Sequence, residues 1–280
     1  MRRTASLALI SATVFYVLPH HQLNAQFRAP RSADYLFVAL DNDARMLWVN
    51  PAALGMEFQA SLMGEALLAR NNNGDFTLAQ YTLGFSSRGL AFGYRRDRFD
   101  DSTAGNTFRL GFGRTYGRYA VGGSLTLYSD SADQREGEVG ISYLLLPGLQ
   151  LGAVAQHIGG PTVRGVPLPF TGVLGVSWSL FGTAVQVVGE AAAADRESVS
   201  GYDLSYRAGV RVGMTGALPF GIVAALDLDE DFDAGRLVLG LQIGQKDRGV
   251  LVGNGARRLG STFVEDVSLV GIASRPLRTR

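Results

Sequence analysis

From residue 58 onward the chain is a succession of segments of roughly 9–11 residues in which apolar side chains fall on every second position. Only a sheet with one apolar and one mixed face satisfies that period. Within 76–85, Ala79, Tyr81, Leu83 and Phe85 alternate with Gln80 and Thr82, and within 108–116 Phe108, Leu110, Phe112 and Tyr116 alternate with Arg109, Gly111, Gly113 and Thr115. The pattern returns in Tyr119, Val121, Leu125 and Leu127, and in Val139, Ile141, Tyr143 and Leu145 set against Glu136, Glu138 and Ser142. It continues in Phe170, Leu174, Val176, Trp178 and Leu180, in Leu204, Tyr206, Val210 and Val212 against Asp203, Arg207 and Arg211, and in Leu237, Leu239, Leu241 and Ile243 against Arg236 and Gln242.

The joins between these segments alternate in length. Short ones such as Ser86-Ser87-Arg88-Gly89, Tyr116-Gly117-Arg118, Leu146-Pro147-Gly148 and Phe181-Gly182 follow longer ones such as Phe99–Asn106, Ile158–Pro169, Ala192–Gly201 and Asp229–Gly235. Long outer loops and short periplasmic turns are the asymmetry of an outer-membrane barrel, and a soluble β-sandwich has no reason to obey it. The expected fold is therefore all-β: a transmembrane antiparallel up-and-down barrel of about fourteen strands, an even count that places both ends in the periplasm. The segment around Val250–Val252 is the weakest strand, and twelve strands are the alternative. Aromatics near strand ends, among them Tyr94, Tyr116, Tyr119, Tyr128, Phe170, Phe181, Tyr202 and Phe220, are expected in interfacial girdles.

At the N-terminus, Met1-Arg2-Arg3 leads into an apolar stretch from Ala5 to Leu18, and Leu23-Asn24-Ala25 supplies small residues before Gln26. That is a signal-peptide layout over residues 1–25, too short for a retained membrane helix. The expected location is the bacterial outer membrane after cleavage near Ala25/Gln26. Cysteine is absent, so export requires no disulfide chemistry, and a net charge of +1 gives no sign of nucleic-acid binding. The remaining divisions are an N-terminal plug over 26–57, the barrel over 58–273 and a periplasmic tail over 274–280.

Residues 26–57 do not alternate. They predict extended chain followed by a short helix through Ala44, Met46, Leu47 and Trp48, capped by Asp41 or Asn42 and ended near Asn50 because Pro51 disfavours helical geometry in the residue before it. The string from Phe37 to Gly55, with Asp43-Ala44, then Trp48, then Asn50-Pro51-Ala52, resembles the N-terminal signature of the FadL-like outer-membrane superfamily. That group includes fatty-acid and hydrocarbon channels and the PorV/PorQ-type barrels of type IX secretion. The resemblance implies an inward-folded hatch that places Asp43, Ala44, Trp48, Asn50, Pro51 and Ala52 in the lumen.

The opposite strand faces carry the lumen-lining polar candidates Arg95, Arg109, Glu136, Glu138, Asp203, Arg207, Arg211 and Arg236, expected to form salt bridges across the interior. Catalysis is not expected: His157 is the only histidine after residue 25, and its conceivable partnership with Asp227 or Asp229 is the weaker reading. The run Asp227, Asp229, Asp231 and Asp233 lacks a calcium-loop glycine at the sixth position from Asp229, where Ala234 stands; a solvated loop is favoured over a weak cation site. Gly111-Phe112-Gly113 lacks the spacing of a dinucleotide loop, and its glycines let strands or a plug approach closely. A lateral gap in the wall is sought at Gly111 or Gly122. No cofactor or metal is expected. The favoured function is a passive channel for small or hydrophobic molecules, with membrane lipid and lipopolysaccharide as surroundings, and the alternative is a barrel that holds secretion-machine proteins.

Overall fold

The structure, a computed structural model, describes residues 36–40, 43–56, 59–70, 73–98, 104–129, 134–163, 166–182, 184–195, 201–214, 219–245, 249–258 and 264–277. The expected signal segment, the rest of the chain before residue 36, and Asp41 and Asn42 lie outside these residues. The strands are β1 (Gln59–Arg70), β2 (Phe76–Ser87), β3 (Leu90–Arg98), β4 (Ala104–Tyr116), β5 (Tyr119–Ser129), β6 (Arg135–Leu146), β7 (Leu149–Ile158), β8 (Thr162–Val163) and β9 (Val166–Pro167). They continue as β10 (Thr171–Leu180), β11 (Val185–Asp195), β12 (Tyr202–Met214), β13 (Phe220–Leu228), β14 (Ala234–Gln245), β15 (Gly249–Arg258) and β16 (Asp266–Pro276).

Among the described residues fourteen strands make one antiparallel sheet in which each pairs with its chain neighbours, β7 passing directly to β10. The sheet closes on itself through β1 and β16, in register from Gln59↔Pro276 to Ala69↔Asp266. The doubtful segment around Val250 is a full strand, β15, paired on both sides. One element escaped the periodicity: β8 and β9 form a two-stranded hairpin inside the long join after β7.

Alternation decides which way each residue points. Leu83, Phe92, Leu110, Phe112, Val139, Leu174, Trp178 and Leu239 face outward and are exposed, whereas Gln80, Thr82, Arg95, Asp97, Thr107, Arg109, Glu136, Glu138 and Ser142 face inward and are buried. This reverses the distribution of a water-soluble protein, and an exposed apolar surface of this extent belongs in lipid. Tight turns hold the register at one end. Ser87↔Leu90 is closed by Arg88 and Gly89, both at positive φ (52° and 81°), the requirement of the primed turns that suit the strand twist. Tyr81, Tyr94 and Phe108 form a connected aromatic band on neighbouring strands, with ring centroids 6.0 and 5.2 Å apart.

The residues before β1 fold inside the wall. Two 3-10 helices, η1 (Ala44–Trp48) and η2 (Pro51–Gly55), are buried and pack against β1 to β6. The cap of η1 is Asp43, whose carboxylate accepts from the Arg45 N–H at 2.9 Å, and not Asp41 or Asn42 as expected. Pro51 does end η1, but it also starts η2: it stands at the first helical position, where its missing N–H costs nothing, with Asn50 as the cap.

Candidate functional site

Asn50 ties the inner segment together and to the wall. Its amide nitrogen donates to the Val38 carbonyl (2.7 Å), the Ser142 hydroxyl (3.0 Å) and the Ile141 carbonyl (3.3 Å), while its amide oxygen accepts from the Ala52 N–H at 3.1 Å. Such closeness requires glycine on β5 and β6. A Cβ on Gly140 would strike the Asn50 amide oxygen, and one on Gly122 would stand 2.5 Å from the Pro51 carbonyl oxygen. The wall is not open where a gap was sought. Leu47 occupies the space beside Gly111, Pro51 that beside Gly122, and the β4–β5 ladder runs unbroken from Asn106↔Ser129 to Tyr116↔Tyr119. Irregularity falls elsewhere, including the β6–β7 pair.

Trp48 projects from η1 between two guanidinium groups, with Arg109 at 5.0 Å and Arg95 at 5.6 Å from its ring. Arg109 is the centre of a buried network. It donates to both oxygens of Glu138 (2.8 and 3.1 Å), to Glu136 (3.1 Å), to the Thr126 hydroxyl (2.8 Å) and to the Leu47 carbonyl (3.1 Å), so a wall residue also holds the end of η1. Arg95 pairs with Asp97 at 3.2 Å.

His157 joins this network, and its partner is Glu136 (2.6 Å) and neither Asp227 nor Asp229. The cause is a β-bulge: Gly137 pairs with Ile158 and Val139 with Ala155, leaving Gln156 and His157 opposite the single residue Glu138, with His157 at φ 58°. Tyr128, expected in a girdle, is buried and donates to Glu136 at 2.9 Å, beneath Val163 and Leu168 of the β8–β9 join. The inward parity of Tyr128, shared with Ser124 and Thr126, was the signal for its true position.

On the opposite wall Glu190, Arg207 and Asp227 stand in one row across β11, β12 and β13, in the pairs Glu190↔Arg207 and Arg207↔Asp227. The Arg207 Nε donates to Asp227 at 2.6 Å. Glu190 accepts from the Val38 N–H and so fastens the start of the inner segment to β11. Arg236 follows next in the row beside Asp227, with Asp266 at 3.5 Å; Asp203 is exposed toward the long-join end, and Arg211 lies toward the short-turn end. Glu190 went unnoticed in the sequence because it stands alone in a small-residue run, although its parity with Gln186 and Val188 points inward.

Between this row and the inner segment lies a cavity of about 400 Å³, with Leu36, Val38, Trp48, Val49 and Val173 as apolar lining and Gln156, Glu190, Ser205, Arg207 and Asp227 as polar lining. That volume lies in the range of small-molecule sites. In the acidic loop before β14 Asp229 accepts from the N–H groups of Asp231 (3.1 Å) and Asp233 (2.8 Å), closing its own turn, and among the described residues no group of three acidic or histidine side chains is arranged to hold a metal ion.

No family model and no curated protein matches the chain. Its fold is similar to solved outer-membrane channels. A monoaromatic hydrocarbon channel, CymD, is 14% identical with a TM-score of 0.58 and covers 91% of this chain and 99% of its own. A deletion mutant of the monoaromatic hydrocarbon channel TodX is 11% identical at 0.56, over 86% of this chain and 96% of its own. The toluene transporter TodX of P. putida is 11% identical at 0.51, over 86% and 95%.

Proposed function

We propose that the chain is a FadL-like outer-membrane barrel that admits small, largely apolar molecules, with residues 26–57 as its hatch. The observation that carries this reading is the cavity between the inner segment and β10 to β13. It is a ligand-sized space, apolar on the segment side and separate from the buried network of Arg109, Glu136 and Glu138. The fold shared with hydrocarbon channels supports it. In this reading Asp43, Trp48, Asn50 and Pro51 belong to the hatch, the network of Arg95, Arg109, Glu136 and Glu138 occupies the interior beside β3 to β6, and the β10–β13 side, where the cavity lies, is the route.

The test is uptake of labelled toluene by cells with an intact lipopolysaccharide leaflet and no channel of their own for such solutes. Expression of this chain should raise the entry rate several-fold. Equal rates with and without the chain, at verified surface expression, would sink the proposal.

A further inference from the structure

We infer that the cavity selects ligands with an apolar body and a hydrogen-bond-donating head, a hydroxyl or an ammonium, and rejects carboxylates. The inference rests on the channel reading and narrows its substrate class.

Among the described residues three charged side chains line the cavity: Glu190, Arg207 and Asp227. The one cation among them is already engaged, its Nε on the Asp227 carboxylate at 2.6 Å, and it stands in the row between two carboxylates. A ligand carboxylate entering here would bring a third carboxyl group to a lining that already sets two against one guanidinium, and its desolvation would go uncompensated. A donor head meets the opposite situation. Glu190, which lines the cavity, gives one carboxyl oxygen to the Val38 N–H, and among the described residues no other hydrogen bond to its carboxyl group is formed. A hydroxyl or ammonium placed there completes the carboxylate while its hydrocarbon body lies against Leu36, Val38, Trp48 and Val173. A hydrogen bond to a charged acceptor corresponds to about a tenfold or greater difference in affinity.

The experiment uses the full chain in lipid nanodiscs, with the outward-facing Trp178 replaced by Phe so that Trp48 in the cavity wall is the fluorescent reporter. The probes are benzyl alcohol, benzylamine and benzoate, which share one ring and differ in the head. Benzyl alcohol and benzylamine should bind about tenfold or more tightly than benzoate. Glu190→Gln keeps an oxygen for the Val38 N–H but turns a donor toward the cavity, and should abolish the preference for benzylamine. The double variant Glu190→Gln/Asp227→Asn leaves Arg207 as the only charge among the described lining residues and should bind benzoate about tenfold more tightly than the parent does. Benzoate binding as tightly as benzyl alcohol in the parent, no gain of benzoate in the double variant, or no response of Trp48 to any probe would each overturn the inference. The toluene uptake measurement judges the channel separately, so a barrel that speeds toluene entry but shows no head preference remains a channel without this selectivity.

Discussion

At the scale of single residues, Asn50 joins the inner segment to itself and to the wall, for it caps η2, bonds back to Val38 and reaches two residues of β6. Asn50→Ala removes all four bonds and takes the donor from the buried Val38 carbonyl and Ser142 hydroxyl, so the variant should lose about 3 kcal/mol of stability. Urea unfolding in lipid vesicles, followed by tryptophan fluorescence, measures it, and a loss below about 1 kcal/mol would contradict the role given to Asn50. The sequence marked Asn50 through its place before a proline and after a helix. It could not reveal the partner of His157, because the bulge inserts one extra residue and re-aims everything beyond it, while a period of two assumes that no residue is extra. Glu190 was hidden for a different reason: one carboxylate among alanines carries no pattern, and only its cross-strand neighbours on β12 and β13 give it meaning.

At the scale of elements, the strands were legible because their lipid-facing positions are apolar at every second residue over ten or so residues, although the interior face is mixed, polar or small beside β3 to β6 and aliphatic at Val223, Val238, Val270 and Ile272. The inner segment was legible only in outline. The one expected helix is a short 3-10 turn, η1, and a second, η2, follows it unforeseen, since 3-10 geometry lasts for few residues and Pro51 both stops one and starts the next. What holds the segment is the missing side chains of the wall, as at Gly122 and Gly140. Gly122→Val should therefore push the segment out while leaving the β4–β5 ladder intact. Arg45, 5% exposed in the folded chain, then becomes a site for trypsin, and cleavage there in the variant but not in the parent is the expected result. Resistance at Arg45 in a folded Gly122→Val protein would show that the fit between wall and segment is looser than the contacts indicate.

At the scale of the whole molecule, the even number of strands and the unequal joins predict which end faces the cell exterior. The absence of cysteine makes this simple to test. Asp75→Cys, in a join at the long-loop end, should react with a membrane-impermeant maleimide on intact cells, whereas Pro147→Cys, in a tight turn, should react only after the outer membrane is opened. The reverse pattern would invert the topology. The lumen itself is unequal from side to side. Beside β3 to β6 it is filled by Arg95, Arg109, Glu136, Glu138 and their partners around Trp48, and its ligand-sized cavity lies off the axis against β10 to β13. The electrical consequence is that a cylinder of fourteen strands should behave as a poor conductor of salt: in a planar bilayer its single-channel current should fall far below that of an unobstructed pore of equal girth. Asn50→Ala should raise that current, since ions pass where the inner segment loosens before any larger solute does.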